Sequence, residues 1–395
     1  MSCTEPQSRP NLLLVTTDQQ RWDFLSVYGT PGLNTPNLDR LAREGVYLPN
    51  AYCTMPTCTP TRVSLLNGQY PSRHGAYSIG TLTTFEFPTL PGPLGEAGYH
   101  TSIIGKTHFV PRHMEAAHVA GIDPPPALPD SGAYREDDGF WDTFKGPYLG
   151  FEDVRHMAGH TAGRKPHEHY RAWLRRIGAD LEVIDAHHEV ARGTAGPWAL
   201  PEEYSQTAWI TAEAGEIIER QQQAGRPWFS WVSYQDPHPP YICPEPYYSN
   251  VDMSGVSLGG AAEGEFEAKP EWYARLCHEG IYEHGCHKFY DPKFGCPNAN
   301  PYRRVREPEK AIRAYIGMCN MVDAYLGRLL DRLRAAGGLE NTLIAFTSDH
   351  GDYLGRHGFW QKGLPAYDDA QRVPMILWWP AGTPDGPRGR CESLL

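Results

Sequence analysis

An α/β fold with a mixed, mostly parallel central sheet sandwiched by helices is what this sequence predicts. Three observations carry it. Short apolar runs without alternation recur along the chain, as strands buried on both faces require. Stretches with helical spacing fall between them. Polar, chemically capable residues follow the apolar runs, where open α/β sheets place their sites.

Asn11–Thr17 is the first such run and ends at Asp18. A helix is expected over Pro36–Glu44, with Asn and Thr near its start and Gly45 just past its end. A loop holding Cys53 to Arg62 is expected next, then a helical Val63–Leu66. Thr101–Ile104 reads as a second strand, followed by Lys106 and His108. Trp228–Tyr234 is the third and leads into Asp236-Pro237-His238. Ala311–Ala336 has helical spacing and stops at Gly337-Gly338. Leu343–Thr347 is a fourth strand, with Ser348-Asp349-His350 behind it, and Val373–Trp379 a fifth. From Pro239 to about residue 310 periodicity gives way to Pro, Gly, Tyr and Cys. The expectation is one catalytic domain over residues 1–395, with 239–310 a long insertion over the active-site face that suits substrate selection.

The 395 residues are 40% hydrophobic and 12% aromatic, enough for a packed core. A net charge of −11 argues against nucleic-acid and anionic-membrane partners. An anionic substrate would therefore need a local cluster of cations. The apolar run Leu12–Val15 is too short for a leader or a membrane span. Nine cysteines, an odd number in a long chain, read as reduced thiols, so a cytoplasmic location is expected.

The sharpest signal is Cys58-Thr59-Pro60-Thr61-Arg62, continued by Ser64-Leu65-Leu66, Gly68, Tyr70-Pro71, Arg73 and Gly75. Alone, a C-x-P-x-R string fits an ordinary loop thiol equally well. With its flanks it resembles the signature of the sulfatase family, whose cysteine is converted to formylglycine by a formylglycine-generating enzyme. Thr61 and Asn67 stand where Ser and Thr are common, and neither touches the modifiable cysteine. The hydrated aldehyde carries two hydroxyls on one carbon. One attacks sulfur and expels the alcohol; the other, once deprotonated, re-forms the carbonyl and ejects sulfate.

A nucleophilic hydroxyl needs activation, which a divalent metal supplies. Asp18 with Gln19, and Asp349 with His350, are the candidate ligands alongside position 58. Any one aspartate after a strand is more simply a helix cap; both pairs together with Cys58 are not. Ser348-Asp-His-Gly-Asp352 with Leu354-Gly355 and His357-Gly358 resembles the second metal motif of the family. Gln19 and His350 depart from the commoner Asp and Asn and resemble the subset containing choline sulfatases and phosphonate monoester hydrolases. Oxygen ligands favour calcium or magnesium, and an imidazole ligand makes manganese a competitor; calcium is the expected ion. By the same resemblance Arg62 and Lys106 would hold the hydrate, and His108 would act as base when the intermediate collapses. His238 and Lys362 would contact the sulfate, one of them assisting the leaving oxygen.

The resemblance runs from Asn11 to about Pro380 and implies an alkaline-phosphatase-like fold acting on a small sulfate ester. Family members usually continue into a smaller C-terminal subdomain, so that part is expected to be missing or reduced, and a homo-oligomer could cover the exposed surface. Two other readings compete: a phosphonate monoester or phosphodiester hydrolase on the same fold, and an inactive relative that binds anions. Cys277-His278, His284, Cys286-His287 and Cys296 contain zinc-ligand types, yet their spacing is not that of a zinc ribbon, and loop thiols and histidines are expected there. Trp272, Tyr273, Tyr282 and Tyr290 are candidates for a substrate wall or for packing.

Overall fold

The computed structural model describes residues 9–79, 81, 87–110, 129–131, 134–158, 165–190, 195–279, 305–382 and 388–392. In chain order the strands are β1 (Asn11–Thr17), β2 (Val46–Tyr47), β3 (Ala51–Tyr52), β4 (His100–Gly105), β5 (Asp153–His156), β6 (Gly196–Trp198), β7 (Trp228–Ser233), β8 (Ile242–Pro244), β9 (Thr342–Ser348), β10 (Arg372–Val373), β11 (Met375–Trp378) and β12 (Gly389–Arg390). Eight form the central sheet in the order β12-β2-β11-β9-β1-β7-β4-β5. The five from β9 to β5 run parallel, and β11 turns the sheet mixed by pairing antiparallel with β9 and β2. The fifth expected strand is divided at Pro374, which has no N–H to give a ladder.

Alternation along β1 explains why its run is unbroken. Leu13 and Val15 enter one core with Ile104, Val232, Ile344 and Phe346, against Trp209, Ile217, Leu326 and Leu329 of the helices Gln206–Gln223 and Pro308–Ala335. Leu12 and Leu14 face the other way, where Ile103, Phe229 and Trp231 meet Val63 and Leu66 of the helix Cys58–Asn67. Both faces are covered, so neither can be polar. The result is the three-layer α/β sandwich that the apolar runs predict.

Register sets the site. Thr17 lies opposite Ser348, and Thr16 and Gly105 both lie opposite Ser233, so β1, β9, β7 and β4 end at one level. Their carboxyl ends release Asp18, Asp349, Gln235 and Lys106 into the same edge. Gly105 is where this edge is tightest. It has φ +101°, and a Cβ there would lie 2.0 Å from the Ser233 carbonyl, which already accepts the Lys106 N–H at 3.0 Å. Gly105→Ala is expected to destabilise the protein by roughly 2–4 kcal/mol, through strain plus overpacking. A denaturant titration against wild type measures it, and an unchanged midpoint would contradict the close approach.

Two expectations are corrected. Cys58 to Arg62 is not a loop: it forms the first turn of the helix Cys58–Asn67, with Thr57 at the N-cap in extended conformation (φ −152°, ψ 150°). Pro60 is tolerated because a first-turn residue has no intrahelical N–H bond to lose. The insertion is not wholly aperiodic either, for it holds β8 and a helix Glu271–Glu279 behind Pro270. Its segment before that helix pairs Gly260 with Arg356, while Glu265 meets His357 at 2.5 Å. Trp272 and Tyr273 lie against one another, with ring centroids 4.1 Å apart. Cys277 is buried among Leu276, Tyr353, Phe359 and Ala370. His284, Cys286, His287, Cys296, Tyr282 and Tyr290 lie outside the described residues.

The six described cysteines are all free thiols. No helix among the described residues is long and apolar enough to cross a membrane.

Candidate functional site: a buried cation and anion pocket at Cys58

Cys58 opens its helix at the first position, so unpaired backbone N–H groups and the positive end of the helix dipole surround it. That is an environment for an anion. Side-chain cations reinforce it. Lys362 Nζ donates to Cys58 Sγ at 2.7 Å, and Lys106 Nζ lies 3.7 Å away while also gripping Asp18. Burial alone would raise the Cys58 thiol pKa. Lys106, Lys362, His350 and a hydrogen bond with His108 outweigh it and hold the thiol well below its ordinary value. Position 58 therefore stabilises negative charge in a fully buried place.

Asp18, Asp349 and His350 complete the centre. Their ligand atoms and the Cys58 sulfur all lie within 4.8 Å of one another. His350 Nε2 is 3.3 Å from the sulfur, 3.7 Å from Asp18 Oδ1 and 3.6 Å from Asp349 Oδ1. His350 Nδ1 donates to the Gly351 carbonyl at 2.9 Å, which turns Nε2 toward the cluster; burial lowers the His350 pKa, but Asp349 and the Cys58 sulfur outweigh it and raise it. Burial raises the pKa of Asp349, Asp18 raises it further, and Arg62 and His350 only partly offset this. Burial acts the same way on Asp18, yet Lys106, with His238 and Lys362, takes its pKa below the ordinary range. Two buried carboxylates, an imidazole and an anion-holding position meet here.

A divalent cation fits this donor set. Oxygen ligands each about 2.4 Å from one calcium can be at most about 4.8 Å apart, and the ligand atoms of this cluster all lie within 4.8 Å of one another. Gln19 supplies an independent sign. Its backbone is left-handed (φ 71°), its N–H donates to Asp349 Oδ1 at 3.0 Å, and its side-chain nitrogen donates to Asp352 Oδ2 at 2.6 Å. The amide oxygen is thereby left as an acceptor, buried and with no protein donor. An orphaned buried carbonyl costs roughly 1–3 kcal/mol unless something binds it. Asp18, Gln19, Asp349 and His350 are accordingly the residues that would hold the ion.

Arg62 braces the carboxylates from below. It has no exposed surface and donates at 2.8 Å to each of Asp349 Oδ2, the Lys106 carbonyl and Ser233 Oγ. Its Nη2 is buried with no protein acceptor. On the other side of Cys58, Lys362 Nζ lies 2.8 Å from His238 Nε2, and His238 Nδ1 donates to the Pro239 carbonyl at 2.6 Å. Burial and the adjacent Lys362 push the His238 pKa down to about 4. A neutral His238 therefore accepts through Nε2 from Lys362, which its anionic neighbours keep as an ammonium against the opposing effect of burial.

Asp18, Arg62, Lys106, His108, His238, Asp349, His350 and Lys362 thus gather around Cys58, and Gln19 joins them through Asp349. Sequence reasoning missed Asp352, although it stands inside the Ser348–Asp352 motif. Its Oδ2 accepts from Gln19 and, at 2.9 Å, from Tyr241, while Oδ1 accepts the Leu354 and Gln361 N–H groups at 2.7 and 2.9 Å. One carboxylate so aims the Gln19 amide and anchors the turn carrying Lys362. Ser233 was missed as well, having only its place at the end of β7 to mark it.

The family model described as Sulfatase matches residues 10–390. The chain is 30% identical to an arylsulfatase of Clostridium perfringens (strain 13 / Type A), over 97% of this chain and 71% of that protein. It is 26% identical to a choline-sulfatase of Rhizobium meliloti (strain 1021), over 95% of this chain and 64% of that one. Among solved structures it resembles the phosphonate monoester hydrolase of Agrobacterium radiobacter, with TM-score 0.73 and 28% identity over 97% of this chain and 70% of that one. The chain thus spans about two thirds of the length of these relatives.

Proposed function

Because this chain belongs to the sulfatase family, within the alkaline phosphatase superfamily, we propose that it hydrolyses a small sulfate ester using formylglycine made from Cys58 and one divalent cation. The supporting observation is the anion-holding pocket at position 58: a helix N-terminus, Lys106, Lys362 and His108 meeting on one buried atom. The Cys58 sulfur stands in for the hydroxyl oxygen of a formylglycine hydrate. Such a hydrate supplies a nucleophile and, on the same carbon, the hydroxyl that later ejects sulfate. A bound cation lowers the pKa of the attacking hydroxyl and neutralises sulfate oxygens.

The chain's own residues supply the rest. Arg62 Nη2 and Lys106 hold the hydrate oxygens. Lys362 stabilises the negative charge that gathers on sulfate and on the departing oxygen. Neutral His238 accepts a hydrogen bond from Lys362 and keeps it oriented, and Lys362 gives its proton to the departing oxygen, becoming a neutral amine. His108 takes the proton from the second hydroxyl. The maturation partner is a formylglycine-generating enzyme, and the insertion 239–310 selects the organic part of the substrate. Two carboxylates and an amide oxygen make calcium the expected cation, with manganese the competing outcome because of His350.

The resemblance to the Agrobacterium radiobacter enzyme favours a second reading, hydrolysis of phosphonate monoesters by the same machinery.

Removing divalent ions by chelation is expected to lower kcat at least roughly a hundredfold and to lower Tm by several degrees, since the ion binds only the folded state. Adding calcium, magnesium or manganese singly identifies the ion by recovery of both. If neither kcat nor Tm moves, the metal half of the reading is wrong. The mass of the tryptic peptide bearing residue 58, thiol or aldehyde, tests the other half.

A further inference from the structure

The loop after β4 places Lys106 and His108 on Cys58, yet His108 adopts a left-handed backbone conformation (φ 54°). For a residue other than glycine this costs roughly 1–3 kcal/mol and needs an external hold. Asp130 supplies one. It is fully buried in the short turn Pro129–Ser131, and its Oδ1 accepts the His108 N–H at 3.2 Å while Oδ2 accepts the Phe109 N–H at 2.6 Å. The Thr107 hydroxyl also hydrogen-bonds this carboxylate.

Thr107 carries the connection further. Its Oγ1 is 2.7 Å from His156 Nδ1, at the end of β5. His156 Nε2 lies 3.6 Å from Glu168 Oε2, which accepts the Ala158 N–H at 2.6 Å. Thr107, His156 and Glu168 are all buried. The three consecutive residues 106–108 are therefore tied on one side to Cys58 and Asp18, and on the other to the loop after β5.

We infer that Asp130 is a positioning residue for the reaction at Cys58: by accepting the His108 and Phe109 N–H groups, it holds the left-handed turn that directs the His108 ring onto position 58. The inference rests on the role given to His108 above. Asp130 itself does not touch the reacting atoms; the Thr107–His156–Glu168 chain keeps the loop from relaxing away from it.

Asp130→Asn tests this, because asparagine keeps the size and one acceptor but sets an NH2 group against an amide N–H. The expected result is a kcat lowered roughly 10- to 100-fold with KM within about threefold, the signature of a misplaced catalytic group. In a His108→Ala background the same substitution is expected to change kcat by less than about twofold, because Asp130 acts through His108. The cycle is run with whichever aryl sulfate or aryl phosphonate the enzyme turns over. Thr107→Val, nearly the same shape, repeats the cycle should Asp130→Asn fail to fold, with a kcat loss of roughly 3- to 10-fold that also vanishes without His108. A second readout needs no turnover: in Cys58→Ala protein, Asp130→Asn should speed amide hydrogen exchange at His108 and Phe109 at least roughly tenfold, with β4 unchanged. Equal kcat losses with and without His108, or unaltered exchange at these two amides, would overturn the inference. The exchange result stands even if the sulfatase reading fails.

Discussion

Replacing Cys58 with alanine is expected to lower kcat at least roughly ten-thousandfold, the loss typical of deleting a nucleophile, while the protein stays folded. The expected loss is this large because Cys58 is the side chain on which Lys106, Lys362 and His350 meet at the helix N-terminus. The fold survives because each neighbour keeps a partner: Lys106 retains Asp18, Lys362 retains His238, and His350 retains the Gly351 carbonyl. Only the sulfur atom leaves the packed core, a cost of roughly 1 kcal/mol. Steady-state rates on an aryl ester, with thermal melts of both proteins, measure the two parts. Unchanged activity would remove Cys58 from the chemistry. A wild type with no activity on any ester, yet binding sulfate as tightly as the variant, would favour an inactive anion binder.

Arg62→Met carries the second largest effect, on stability and rate together. The guanidinium is wholly buried, and removing it leaves Asp349 beside Asp18 without its closest cation and strips a donor from the Lys106 carbonyl and from Ser233. Breaking one side of a buried ion pair costs roughly 3–5 kcal/mol, about 4–6 °C in Tm for a chain of this size. Protein that still folds should show kcat lowered roughly a hundredfold to a thousandfold, as donors to the reacting oxygens are lost. Adding Asp349→Asn should return part of the lost stability, because the stranded charge is then gone. A melt within about 1 °C of wild type would contradict the bracing role.

Much of this architecture was legible in the sequence because burial on both faces leaves so few ways to write a strand. The run Asn11–Thr17 is apolar until the sheet ends, and Asp18 appears at that boundary; Thr342–Ser348 and Asp349 repeat the pattern. The first turn of the Cys58 helix was hidden by Pro60, which reads as a breaker unless its place in that turn is known. The helix Glu271–Glu279 carried a start signal, Pro270 followed by Glu271, that the surrounding Gly and Pro obscured. Site residues were legible where they follow strands or fall on family motifs. Asp130 follows none, and only the folded chain brings it under His108. Asp352 sits in a readable motif and Ser233 only at a strand end, but their partners Gln19 and Arg62 lie 333 and 171 residues away, so their work is a property of the fold.

The measurement that bears most directly on the function is kcat/KM for an aryl sulfate and for the matching aryl phosphonate monoester, side by side. The protein is co-expressed with a formylglycine-generating enzyme, and Cys58→Ala serves as control. A clear preference for the sulfate, abolished by the alanine substitution, is the predicted result. A preference for the phosphonate would contradict the sulfatase assignment while keeping the nucleophile and the metal centre, and an activity indifferent to Cys58→Ala would contradict the mechanism as a whole.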